Sequence, residues 1–212
     1  MDLWQILEIV GTAVGLVYLW LEYKANVWLW LAGIVMPAIY IYVYYKSGFY
    51  ADVGINVYYL FAGLYGWAVW MGKSFRNKRS GTGDGTGEGA SLPISRTPRR
   101  VWLPAILAGL AFFALIAWIL IRFTDSDVPY GDAFTTAFSI VALWMLARKY
   151  AEQWLVWLVV DVVCCALYFY KGLNYTAVLY GLYGVISVFG YMKWLKMMKE
   201  QDDAGAESNP DA

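Results

Sequence analysis

Seven apolar runs, each close to the length of a membrane helix, dominate the chain. They cover residues 3–21, 27–45, 53–71, 101–121, 130–147, 154–170 and 175–193. A helix needs roughly 20 apolar residues to cross the hydrocarbon of a bilayer, where every backbone N–H and C=O must be satisfied within the segment. Each run therefore reads as a membrane span. The gaps between them hold charges or breakers, such as Glu22 to Asn26, Lys46 to Asp52 and Lys171 to Asn174. Composition agrees: only 15% of the 212 residues are charged and 61% are hydrophobic. A soluble domain carries about 25% charged residues, so this chain cannot coat a water-facing surface. Disorder, a disulfide scaffold and a basic nucleic-acid binder are excluded, and no nucleic-acid partner is expected. The sequence has no histidine, which removes histidine zinc sites, Ser-His-Asp triads and histidine proton relays together. Cys164 and Cys165 are adjacent in an apolar run and read as small buried hydrophobes. The N-terminus lacks the basic region of a signal peptide, so the first span is expected to stay.

The expected organisation is a three-helix bundle over 3–71, a cytoplasmic flexible linker over 72–100, and a lone helix over 101–122. A second three-helix bundle follows over 130–197, with a disordered cytoplasmic tail over 198–212. The linker core from Ser80 to Ala90 alternates glycine with Thr, Asp and Glu, a flexible composition. It lacks the G-x-G-x-x-G spacing and the preceding strand of a nucleotide-binding loop. Thirteen of the 16 basic residues fall on one side of this topology, including Lys24, Arg99, Arg100, Arg148 and Lys199. Lys46, Arg122 and Lys171 occupy the other. By the excess of Lys and Arg on cytoplasmic loops, the N-terminus lies outside and the C-terminus in the cytoplasm.

The two ends of the chain match without a gap at an offset of 124 residues. Leu19-Trp20 meets Leu143-Trp144, Trp30-Leu31 meets Trp154-Leu155, and Gly66 and Trp70 meet Gly190 and Trp194. Tyr59 meets Tyr183, Thr12 meets Thr136, and Glu8 and Lys24 meet Asp132 and Arg148. Three helices plus one separate the copies, an even number of crossings, so the copies face the same way. The expectation is an all-α membrane protein of seven helices in a 3+1+3 parallel repeat. Repeat-built transporters place substrate near the midplane at the repeat interface.

Acids inside spans are costly and commonly functional. Asp161 stands mid-span, between Val159-Val160 and Val162-Val163. It reads either as a protonated or hydroxyl-bonded structural acid, or as a counter-charge or hydroxyl acceptor for substrate. Its repeat mate is Pro37, which removes a backbone hydrogen bond mid-helix and permits a kink. Glu8 and Asp132 lie near the outer surface and either line a vestibule or snorkel. Most tryptophans fit the aromatic belt at headgroup level. Trp154 and Trp157 share a helix face at i,i+3 and read as packing or as a stacking surface, as does Trp30. Asn56, Thr136, Tyr40, Tyr59, Tyr180 and Tyr183 are the neutral hydrogen-bonding candidates, although Thr commonly bonds back to its own helix. No acid pair sits at i,i+3 or i,i+4 within a span, so no enzyme, cofactor or metal site is expected. A structural or receptor membrane protein is the other competing class; it leaves the duplicated bundle and the mid-span acid unexplained.

The stretch Glu22-Tyr-Lys-Ala-Asn-Val-Trp-Leu-Trp-Leu-Ala-Gly33, with Tyr44-Tyr-Lys-Ser-Gly-Phe-Tyr-Ala-Asp52, Asn56-Val-Tyr-Tyr59 and Tyr65-Gly-Trp67, resembles the PnuC family of bacterial vitamin transporters. The resemblance covers about residues 3–198. It implies uptake of nicotinamide riboside, an NAD precursor, by facilitated diffusion across the bacterial inner membrane. It further implies trapping by a cytosolic riboside kinase, a fold like the sugar-transporting SWEET proteins, and a homotrimer. Similarity to relatives that carry thiamine or riboflavin keeps those substrates open, and proton coupling is a further alternative. The family's W-x-x-W motif matches Trp67/Trp70 and Trp154/Trp157.

Overall fold

The computed structural model describes residues 16–47, 50–79 and 92–207. Glu8 and Thr12 lie outside them. Among the described residues there are seven helical segments: α1 over 16–23, α2 Leu29–Ser47, α3 Tyr50–Arg79, α4 Arg99–Phe123, α5 Pro129–Ala147, α6 Gln153–Tyr170 and α7 Asn174–Glu207. Four of them contain stretches long and apolar enough to cross a membrane: α4, α5, α6 and residues Thr176–Ala204 of α7. In α2 the apolar stretch is the shorter Leu29–Tyr42. The expected span over 53–71 is helical but is not among the four; it is rich in tyrosine and tryptophan, which hydropathy scales rate near neutral.

Two compact units divide the chain, one ending at Leu92 and the other beginning at Pro93. In the first, α2 packs on α3; in the second, α4 packs on α5, α5 on α6 and α6 on α7. Local chemistry sets the element ends. Pro129 opens α5 at a position where its missing N–H costs nothing. Gly172 ends α6 with φ +74°, and Leu173 N–H donates to Tyr168 O at 2.9 Å, a Schellman closure that needs a left-handed residue.

Three boundaries differ from the sequence expectation. Helix α3 continues to Arg79, into the expected linker, and α7 continues to Glu207, through most of the expected tail. Hydropathy locates where a helix leaves the membrane, not where it ends. The polar stretch of α7 keeps good helix formers, and Lys196 Nζ reaches Glu200 Oε1 at 3.8 Å one turn on. The third difference is the end of the expected linker. Ser95 N–H donates to Lys149 O at 3.1 Å, and Ala151 N–H donates to Ser95 O at 3.0 Å. Thr97 donates from both N and Oγ1 to Glu152 Oε2, at 2.8 and 2.9 Å. Ile94 N–H donates to Gln201 Oε1 at 3.1 Å, and Ile94 and Thr97 are both buried. Residues 94–97 thus form a strap across the α5–α6 turn and onto α7.

Local geometry recurs at the 124-residue offset. Ala25 and its mate Lys149 are the positive-φ non-glycine residues among those described, at 50° and 54°. Asn26 N–H donates to Leu21 O and Tyr150 N–H to Met145 O, at 2.9 and 3.1 Å, so both turns close in one way. Lys24 Nζ lies 4.1 Å from the Trp20 ring centre, and Arg148 lies over Trp144 at 6.0 Å. Trp30 meets Trp70 edge-on at 5.6 Å and 86°; Trp154 meets Trp194 at 6.0 Å and 86°.

Candidate functional site

In the second unit, α6 and α7 face each other along two stripes of helical spacing. On α6 the stripe contains Trp154, Trp157, Asp161, Cys164 and Tyr168; on α7 it contains Ala177, Tyr180, Gly184, Ser187, Gly190 and Trp194. Glycines on α7 set the distance between the helices. A β-carbon on Gly184 would lie 3.8 Å from Asp161 Cβ, in ordinary contact. A β-carbon on Gly190 would lie 2.6 Å from Trp154 Cδ2, which no real side chain tolerates. The indole of Trp154 therefore fills a notch that only glycine leaves open, and Trp30 does the same against Gly66 in the first unit.

Asp161 is turned inward, with 5% of its surface exposed. Ser187 Oγ donates to its Oδ2 at 3.3 Å. No ion pair reaches Asp161 among the described residues. Two turns from Ser187, Tyr180 stacks on Tyr168 at 5.1 Å and 26°, and meets Tyr183 edge-on at 5.7 Å and 71°. A lone carboxylate bonded to one hydroxyl and bordered by tyrosine rings can accept hydrogen bonds from a polar solute. The rings offer flat faces to an aromatic one. A desolvated acid without a counter-charge is costly, so its survival at mid-helix marks the position.

The structure sorts the other candidates. Trp30 and Trp154 are each 1% exposed and enclosed by glycine and tryptophan, so their place is in packing. Trp157 is only partly buried, yet its Nε1 is sealed without an acceptor, as are those of Trp30 and Trp154. Thr136 Oγ1 donates to Asp132 O at 2.8 Å within its own helix. Asp132 accepts from Ser126 Oγ at 2.8 Å and pairs with Lys171 Nζ at 3.4 Å, which places it in a local network at the start of α5. In the first unit Asn56 is buried, Tyr59 and Tyr40 are exposed, and Pro37 is buried inside α2.

Sequence reasoning missed Ser187 and the polar strap. Ser187 follows Gly184 by three residues and Tyr180 by seven, so face periodicity was the available signal. The strap left none, because its partners are brought together by the fold. Of these, Glu152 and Lys149 are buried outside the spans. Burial lowers the Lys149 ammonium to about 8.

Long apolar helices, one of them burying a carboxylate at mid-length, define a polytopic helical membrane protein. Its sequence fits the profile of the nicotinamide mononucleotide transporter family over residues 5–196, and the chain belongs to that family, the PnuC transporters. It is similar to the nicotinamide riboside transporter PnuC of Escherichia coli K12, with 22% identity over 92% of this chain and 87% of the relative. The same-named protein of Neisseria mucosa is 27% identical over 93% of this chain and 74% of its own. The riboflavin/roseoflavin transporter RibM of Streptomyces davaonensis is also 27% identical, over 88% and 83%. A crystal structure of the vitamin B3 transporter PnuC superposes with a TM-score of 0.60 at 25% identity, covering 88% of this chain and 79% of that one.

Proposed function

We propose that the chain takes up nicotinamide riboside by facilitated diffusion and that a cytosolic riboside kinase traps the product. Relatives named for this substrate align with more than nine-tenths of this chain, and that observation carries the reading. The chemistry of the spans supports it. No Lys or Arg stands at mid-depth of α4, α5 or α6, so nothing there matches a phosphate. The uncharged-to-acidic surroundings of Asp161 suit a cationic pyridinium and ribose hydroxyls, with a cation–aromatic contact worth roughly 0.5–2 kcal/mol. In this reading Asp161 accepts from the solute, and Tyr180, Tyr183 and Trp157 border it; Asn56, Tyr59 and Tyr40 are the polar candidates within the first unit. Pro37 is the hinge. The protein sits in the bacterial inner membrane as a parallel 3+1+3 repeat of the SWEET type, assembled as a homotrimer, with the N-terminus outside. The similarity to RibM favours riboflavin as the second reading.

Proteoliposomes loaded with a riboside kinase and ATP test both. Labelled nicotinamide riboside accumulates only when kinase and ATP are present. Accumulation driven by a proton or sodium gradient without kinase refutes facilitated diffusion. Riboflavin outcompeting the riboside moves the chain to the second reading.

A further inference from the structure

The repeat supplies a comparison within one chain. At the offset of 124, the mates of Asp161 and Ser187 are Pro37 and Gly63, and the mate of Trp157 is Gly33. In the first unit this level is closed backbone to backbone: a β-carbon on Gly63 would lie 2.8 Å from Gly33 O. The second unit has an indole and a hydroxyl at the same two positions. The helical hairpin therefore forms without the acid–hydroxyl pair, and the pair is not a requirement of the packing.

We propose that Ser187 is a positioning residue for solute recognition: it ties Oδ2 of Asp161 and so aims the remaining carboxylate oxygen, Oδ1, at a hydrogen-bond donor of the substrate. Three restraints act on Asp161 together. A β-carbon added at Gly184 would lie only 3.8 Å from its Cβ, so α7 runs close beside it, Ser187 holds one oxygen at 3.3 Å, and the side chain is buried at 5% exposure. A carboxylate fixed at Cβ and at one oxygen loses the rotation that would otherwise be frozen on binding. The donor it fits is a hydroxyl or an amide N–H rather than a phosphate, which would bring a second negative charge.

This inference rests on the reading of Asp161 as a solute acceptor, and a double-mutant cycle separates the two. The full chain in detergent is titrated calorimetrically with nicotinamide riboside, and thermal unfolding is followed in parallel. Ser187→Ala is expected to weaken binding roughly three- to tenfold, Ser187→Thr to stay within about twofold, and Asp161→Asn to weaken binding more than either. In the Asp161→Asn background, Ser187→Ala is expected to add nothing, because its effect passes through the carboxylate. Equal losses in both backgrounds overturn the inference, as does an unchanged affinity in Ser187→Ala when Asp161→Asn binds weakly; the acceptor reading survives both. Unchanged binding in Asp161→Asn removes the acceptor reading and the inference with it. If Ser187→Ala does not fold, Ser187→Cys, close in size but a weak donor, takes its place in the same cycle.

Discussion

Glycine and tryptophan form a lock twice in this chain, and its tolerance is narrow. A methyl group at Gly190 meets the Trp154 indole at 2.6 Å, and neither a helix backbone nor a fully buried indole yields cheaply. Gly190→Ala is expected to cost about 1–3 kcal/mol and to lower the midpoint of thermal unfolding in detergent. Gly184→Ala, with open contacts of 3.6 and 3.8 Å, is the control and should unfold near the parent. Lys149 gives a pH signature at the same scale. Its ammonium titrates near 8 in the folded chain, against 10.5 ordinarily. Between those values the unfolded chain holds the extra proton, so stability rises with pH from about 8 to 10.5, by up to about 3 kcal/mol. Below 8 both states are charged and the burial penalty is fully present. Lys149→Met should flatten that rise in unfolding measured across the window.

At the scale of elements, the strap is bonded to the α5–α6 turn and to α7, and two of its residues converge on one carboxylate. Glu152 Oε2 receives both donors of Thr97, and its Oε1 lies 3.7 Å from Arg96. Removing the acceptor leaves the buried Thr97 N–H and hydroxyl without it, at roughly 1–3 kcal/mol. Glu152→Ala is therefore expected to free residues 92–98 for limited proteolysis while α6 keeps its helical content. If cleavage there stays as slow as in the parent, the strap does not depend on Glu152. The helices themselves were legible in the sequence because lipid demands long apolar segments, and α4, α5 and α6 fall within two residues of the expected limits. The strap was not legible, since a polar stretch following a glycine-rich run carries no periodicity. Asp161 was legible for its depth alone, whereas Ser187 belongs to a crowd of hydroxyls that commonly bond their own helix. For Trp154 the spacing left packing and stacking both open, and the glycine opposite shows the ring enclosed.

At the scale of the whole molecule, the proposed solute can be tested against the charge of the helices. Nicotinamide mononucleotide differs from the riboside by a phosphate, for which the mid-depth of α4, α5 and α6 offers no Lys or Arg. Its uptake into kinase-free proteoliposomes is expected to fall at least about tenfold below that of the riboside, the equivalent of one lost charge-assisted hydrogen bond. Comparable rates for the two would place a cation outside those helices in the path. The division at Leu92 and Pro93 has a practical corollary. Because the grip of Glu152 begins on the far side of that junction, the polypeptide can be cut between α3 and the strap without severing any hydrogen bond of the second unit described above. Two separately encoded fragments should then each keep their own tryptophan lock.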